Sequence, residues 1–384
     1  MPTLWGYLDA AQHAVMLLDT VRVDAYAAAI AKVVRPGDVV LDAGTGSGIL
    51  AMLAARAGAR KVYAVDGTGA VELARRHVAD NGLADVVEVL RVDLAALEAL
   101  PEPPRVIVGE LLGSFAPDEH QHRLYASLRR LARPDAELIP RRYRLVYGIA
   151  RASGLRADLA RLGDVHGLDL TVLRQRLRNR AAFVHVDPAE LLGPEVDGPW
   201  IATDAPPPRE LTATVIADRD GEVGAVTCGF TAELADGVAL RTAVTAERTH
   251  WQQTLFPVDP PLPVRAGDAL AVQIVPRMIT QHWTWAWSVR RGDEVRHGDG
   301  FDALSGDKAD LLTQIRGRPR LDGAIHPGPL LRAWAAGLGG AAPDPLDLDA
   351  VAARMQAADP ARYPNLDEAR QDLLLLLAAA DRAR

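Results

Sequence analysis

Cysteine is nearly missing from this chain. Cys228 is the only one in 384 residues, so no internal disulfide can form and nothing points to secretion. Lysine is scarce too: Lys32, Lys61 and Lys308 are the only three, and arginine carries almost all of the positive charge. With the heavy use of alanine and leucine, this reads as the codon usage of a GC-rich genome rather than a functional device. Positive charge is not in excess either, and a formal net charge of −7 argues against a general binder of nucleic acid or membrane surfaces. The first residues, Met1-Pro2-Thr3-Leu4-Trp5, lack the basic and apolar regions of a secretory signal. The apolar run at 373–380 is far shorter than a bilayer span. These absences predict a cytoplasmic protein with neither a membrane nor a nucleic acid as partner.

What is present is ample apolar material, 49% of the residues, in a chain too long for one ordinary core. Residues 5–33 carry helical periodicity, in which Val15, Leu18, Val21, Tyr26 and Ala29 can share a stripe. Pro36-Gly37-Asp38 then breaks the chain before a buried strand at 39–41. Strands at 61–65, 86–92 and 105–109, with a helix at 69–81, predict a parallel sheet wound with helices. After Ile139-Pro140 the texture changes to β-type runs such as 211–217, 225–231 and 269–275, separated by turns like Asp220-Gly221 and Asp236-Gly237. That pattern predicts an antiparallel sheet or barrel, interrupted by a charged helical stretch at 155–177 in which Gly163 and Gly167 are breaks. Beyond about 315 the chain is rich in Gly, Pro and Ala and then helical, with helices expected at 346–358 and 366–380.

Leu41-Asp42-Ala43-Gly44-Thr45-Gly46-Ser47-Gly48 follows a strand and opens a helix. Glycines at alternate positions let the backbone turn tightly and approach a ligand without a Cβ in the way. Their spacing is not the G-x-G-x-x-G of a dinucleotide site, and no Lys-Ser/Thr follows to make a phosphate-cradling P-loop. The Asp-x-Gly-x-Gly-x-Gly form resembles the loop of S-adenosylmethionine-dependent methyltransferases. Asp66, at the end of the next strand, is then placed to take ribose hydroxyls, and Asp93, after the strand beyond it, to take an adenine amino group.

Downstream of that loop, where such a fold places its substrate, Glu110 and Glu119 stand nine residues apart in Glu110-Leu111-Leu112-Gly113-Ser114-Phe115-Ala116-Pro117-Asp118-Glu119. Two carboxylates facing one pocket repel, and one is pushed toward protonation. A planar guanidinium with several N–H donors removes that conflict.

Together these features resemble the protein arginine methyltransferase family, in family order over roughly residues 5 to 290. Glu110 and Glu119 are similar to its double-Glu hairpin. An N-terminal helical segment that covers the cofactor resembles Tyr7, His13, Met16-Leu17, Asp19 and Arg22 at the family's spacing, and Thr249-His250-Trp251 matches its Thr-His-Trp loop. The resemblance implies that Arg22 pairs with the methionine carboxylate of S-adenosylmethionine and that His13 also lies on the cofactor side. It implies that Tyr7, Met16 and Trp251 border the acceptor, and that His250 pairs with Asp19. Two departures stand out: the hairpin lacks the family's aromatic cluster, and Leu4-Trp5-Gly6-Tyr7 replaces its Tyr-Phe pattern.

The resulting expectation is an α/β fold: a Rossmann-like methyltransferase domain with a mostly parallel sheet, then an antiparallel β-barrel domain and a helical C-terminal tail. The divisions fall at 1–33 (helical cover), 34–140 (cofactor domain), 141–315 (barrel, with a dimerisation arm near 155–177) and 316–384 (extension). The expected reaction is methyl transfer from S-adenosylmethionine to a guanidine nitrogen of arginine, with Glu110, Glu119, His250 and Asp19 as the catalytic set and no metal site. The acceptor is a protein arginine, a peptide or free arginine, and the resemblance implies a homodimer. The competing reading is a class I methyltransferase acting on another amine or hydroxyl of a metabolite in natural-product biosynthesis.

Overall fold

The run Val39-Val40-Leu41-Asp42-Ala43 is buried at every position, as a strand must be when helices cover both faces of its sheet. In the computed structural model it is strand β1 (Val39–Ala43) at the centre of a five-stranded parallel sheet. The structure describes residues 10–117, 121–279, 282–300 and residue 356. Tyr7, Glu119 and the two expected tail helices therefore lie outside the described residues.

β1 pairs in parallel with β2 (Lys61–Asp66) on one side and with β4 (Val106–Val108) on the other. β3 (Val87–Arg91) and β5 (Glu137–Ile139) complete the order β3-β2-β1-β4-β5. Helices α2 (Thr20–Val33), α3 (Ile49–Arg56), α4 (Val71–Asp80) and α5 (Gln121–Arg129) pack on this sheet through Tyr26, Leu50, Val78 and Tyr125. This is a Rossmann-like domain. The strand order reverses between β1 and β4, and in open α/β sheets that switch point is where ligands bind. The register sets Asp42 beside Val108, so the glycine loop after β1 and Glu110 after β4 leave the sheet side by side.

The helical cover is not one helix. α1 (Ala10–Leu18) stops, and Asp19 caps α2 by accepting the Arg22 amide at 3.0 Å. A side-chain acceptor at this position satisfies an otherwise orphaned N–H and restarts the helix. The expected stripe fails for that reason: Tyr26 and Ala29 are fully buried, whereas Val15 is 57% and Leu18 79% exposed.

The antiparallel part begins at β6 (Arg142–Ala150), three residues beyond Ile139. After it the expected arm is two helices, α6 (Ser153–Arg161) and α7 (Thr171–Leu177), and the two expected breaks, Gly163 and Gly167, fall between them. Then come β7 (Ala182–Val184), β8 (Val196–Asp197), β9 (Ile201–Ala202), β10 (Leu211–Ile216), β11 (Gly221–Ala235), β12 (Val238–Arg241), β13 (Gln253–Val264), β14 (Ala269–Ile279), β15 (His282–Arg291) and β16 (Glu294–Asp299). They form one sheet in the order β7-β13-β11-β6-β8 and a second in the order β10-β14-β15-β16. Phe230, Phe256, Trp285 and Trp287 fill the barrel between them.

The loop after Glu110 joins the two parts. Phe115 is fully buried and packs edge-on against Phe256 (centroids 5.4 Å apart) and Trp285 (4.3 Å). Aromatic pairs at such distances favour that geometry.

Candidate active site

Gly44, Gly46 and Gly48 all adopt positive φ, at +73°, +51° and +86°, a region in which side chains with a Cβ are strained. The loop is also tightly covered. A Cβ on Gly44 would lie 2.9 Å from Leu111 Cδ2, and one on Gly46 would lie 3.0 Å from His13 Cε1. The bare backbone thus makes a cradle, with His13 over one wall and the Glu110 loop over another. Asp42, beneath it, accepts Thr45 Oγ1 at 2.6 Å and the Ala51 amide at 2.9 Å through Oδ2. Its Oδ1 is buried with no partner, and burial pushes the carboxyl up to about 7. Asp42 shapes the loop from behind.

Asp66 Oδ2 accepts the Gly46 amide at 3.0 Å, and its Oδ1 accepts the amide and hydroxyl of Thr68. A carboxylate offers about four lone-pair sites, so acceptor capacity for a hydroxyl remains. Asp93 is exposed and caps the turn after β3, accepting the Ala95 amide at 2.9 Å.

The position of Arg22 differs from the simplest expectation. Its Nε and one terminal nitrogen each lie 3.0 Å from Glu110 Oε2, and its other terminal nitrogen donates to the Met16 carbonyl at 3.2 Å. Both side chains of the ion pair are 8% exposed. Glu110 Oε1 accepts the Leu112 amide at 3.2 Å. The guanidinium of Arg22 therefore sits on the very carboxylate assigned to the acceptor.

Asp19 Oδ2 accepts from both the backbone N–H of His250 and its ring Nδ1, each at 2.8 Å. Burial raises the Asp19 carboxyl, but the bonds from His250 and from the Arg22 amide outweigh it and hold it below the ordinary range. Asp19 thus ties together the start of α2 and the Thr249-His250-Trp251 loop. Trp251 does not line an open pocket. It is 3% exposed, and its indole N–H donates to the Leu112 carbonyl at 2.7 Å, because a buried indole needs an acceptor. It supports the Glu110 loop from the barrel side, as does Thr254, whose hydroxyl donates to the Ser114 carbonyl at 3.3 Å.

The comparisons with known proteins now bear on this geometry. Residues 25–116 match the family model described as ribosomal protein L11 methyltransferase (PrmA). The chain is 32% identical over 276 residues to an arginine N(omega)-methyltransferase of Streptomyces achromogenes subsp. streptozoticus, covering 68% of this chain and 75% of that one. It is 32% identical over 302 residues to the protein arginine N-methyltransferase PRMT10 of Oryza sativa subsp. japonica, covering 67% and 78%. The chain belongs to the arginine N-methyltransferase family. Solved structures share the fold. The Trypanosoma brucei PRMT1 enzyme–prozyme complex with AdoHcy has a TM-score of 0.71 at 24% identity over 76% of this chain and 98% of that one. Arabidopsis thaliana protein arginine methyltransferase 10 has 0.66 at 23% identity, over 77% and 99%.

Within this arginine methyltransferase, sequence reasoning missed the residues that hold the Glu110 loop. Tyr26, Tyr125 and Gln121 are all fully buried. Gln121 donates to the Ala116 carbonyl at 2.8 Å, across a backbone turn in which Ala116 has φ +52°. Their helical spacing marks them only as core. Among the described residues, no group of His, Cys, Asp and Glu could hold a metal ion.

Proposed function

We propose that Glu110, with Glu119, holds the acceptor guanidinium of an arginine N-methyltransferase while Arg22 turns from Glu110 to the carboxylate of the cofactor. The enzyme transfers a methyl group from S-adenosylmethionine to arginine, as its family membership establishes. One observation carries the residue-level reading: Glu110 already holds a guanidinium, that of Arg22, through two 3.0 Å contacts.

When bound, S-adenosylmethionine supplies an activated methyl on its sulfonium. The glycine cradle admits the backbone-close part of that molecule, and Asp66 has acceptor capacity for hydroxyls. The chain's remaining task is to make a poor nucleophile attack. Free guanidinium has a pKa above about 12 and delocalised lone pairs. A carboxylate on each side fixes its plane, which is a proximity gain. It also stabilises positive charge left on the non-reacting nitrogens as the transition state localises it. The His250–Asp19 pair, or Glu119, takes the proton released after transfer, and the charged Asp19 carboxylate holds the His250 ring through its Nδ1.

The acceptor is free arginine or arginine within a peptide or protein. Named relatives of the two kinds, an arginine N(omega)-methyltransferase and protein arginine N-methyltransferases, have equal identity to this chain. A homodimer fits the surface. Leu168, Leu170, Val172 and Leu173 in or beside the arm, and Val15 and Leu18 on α1, are exposed apolar side chains. Burying the arm of one copy against α1 of another would remove both sets from water.

The reading is tested by Glu110→Gln, assayed for methyl transfer and titrated calorimetrically with cofactor. Turnover is expected to be lost with cofactor binding kept. Full turnover would end the guanidinium assignment.

A further inference from the structure

Two tyrosine hydroxyls from different helices converge on one carbonyl, that of Gly109, the residue before Glu110. Tyr125 on α5 lies 2.7 Å from it and also reaches the Ile139 carbonyl at 3.3 Å. Tyr26 on α2 lies 3.4 Å from the same Gly109 oxygen. The Gly109 N–H donates to Ile139 O at 3.0 Å. The third face is closed as well, since a Cβ on Gly109 would stand 2.7 Å from the Ala43 carbonyl and 2.9 Å from the Tyr125 hydroxyl. Every handle on this residue is therefore held by protein.

Strand pairing alone does not require this. β4 ends at Val108, and a carbonyl leaving a sheet for a loop ordinarily finds water. Here both phenols are fully buried, so two side chains take the place of solvent and use both lone pairs of the carbonyl oxygen. Burial, and next the charge of Glu110, push both phenols well above the ordinary value, so they remain protonated donors. The carbonyl they hold belongs to the peptide plane whose nitrogen is Glu110's own, and that plane sets the Glu110 Cα and the origin of its side chain. Tyr26 also lies under Arg22, whose guanidinium carbon is 6.0 Å from the ring centroid. The clamp thus sits behind both partners of the Arg22–Glu110 pair.

We propose that Tyr125 and Tyr26 are positioning residues, whose hydroxyls aim the Glu110 carboxylate at the acceptor guanidinium. The proposal rests on the reading of Glu110 as the acceptor's carboxylate. The rings fill core space whatever the hydroxyls do, so removal of the oxygen alone separates the two roles. A displaced Glu110 still attracts a cation but holds its plane poorly, so the loss belongs in kcat more than in KM.

The test is Tyr125→Phe, alone and combined with Glu110→Asp, in full-length protein. Tyr125→Phe is expected to lower kcat about tenfold, with cofactor affinity nearly unchanged and the thermal midpoint lowered only by the few degrees that one unpaired buried carbonyl costs. In the Glu110→Asp background, where the carboxylate is already displaced, it is expected to cost little more. Tyr26→Phe, which removes the longer bond, is expected to follow the same pattern at smaller size, and it carries the test if Tyr125→Phe does not fold. Unchanged kcat, a loss matched by cofactor affinity and midpoint, or multiplicative effects with Glu110→Asp would each overturn the proposal. Glu110→Gln run alongside keeps the two claims apart. If it turns over normally, the reading of Glu110 fails; if it is inactive while both phenylalanine variants are normal, only the clamp fails.

Discussion

Arg22 and Glu110 form a buried ion pair, with two guanidinium nitrogens each 3.0 Å from one carboxylate oxygen and both side chains 8% exposed. Eighty-eight residues separate them in sequence. Removing either one strands the other's charge away from water, whereas removing both does not.

Arg22→Met alone is therefore expected to cost about 3 to 5 kcal/mol of stability, and to weaken cofactor binding. Arg22→Met with Glu110→Leu is expected to recover most of that stability while remaining inactive. Denaturant melts of the wild type, Arg22→Met, Glu110→Leu and the double variant would check the sign, and additive losses would contradict it.

Asp19 gives a second prediction, with a pH signature. Asp19→Ala removes the cap of α2 and both bonds to His250, an expected loss of about 1 to 2 kcal/mol for the cap alone. Because the folded carboxyl lies below its ordinary value of 3.8, its stabilisation is present above that pH and disappears as pH falls through the lower folded value. The wild type's advantage over Asp19→Ala in thermal midpoint should hold from pH 7 to 5 and shrink in strong acid.

Asp42 has the opposite sign. Burial raises its carboxyl from 3.8 to about 7, so its contribution is fully present below pH 3.8 and is lost as pH rises through about 7. Asp42→Asn, which cannot ionise, is expected to gain on the wild type in thermal midpoint between pH 5 and 8. A difference that does not change with pH would contradict this.

Much of this site follows from local pattern, and the rest depends on contacts no local pattern carries. Alternate glycines after a buried strand announce the cradle because 44, 46 and 48 all need positive φ. The alternation of strands and helices likewise gives the parallel sheet. The break at Asp19 was hidden inside a long helical periodicity, although an Asp three residues before an amide it can cap is a start signal. The division of the arm between α6 and α7 was legible, because Gly163 and Gly167 interrupt the helical stretch there. The pairs Arg22–Glu110, Trp251–Leu112 and Tyr26–Gly109 join residues 83 to 139 positions apart, and nothing in the spacing of either member points to the other. A tyrosine at a core position looks the same whether its hydroxyl is idle or holds a carbonyl.

The arm supplies a prediction on assembly. Val172→Asp with Leu173→Asp places charge on exposed apolar positions of α7, so it is expected to turn a dimer into a 41.2 kDa monomer without loss of secondary structure. Light scattering after gel filtration reads the mass directly, and a wild-type monomer at assay concentration would end the dimer assignment.

The central claim is that this chain methylates a guanidine nitrogen held by Glu110. Its most direct test is mass spectrometry of products after incubation with methyl-labelled S-adenosylmethionine and free arginine, an arginine peptide or a lysine peptide. The expected result is label on the guanidino group of arginine or of the arginine peptide, none on the lysine peptide, and none on any acceptor with Glu110→Gln. Label on lysine, or wild-type labelling of arginine by Glu110→Gln, would contradict the account.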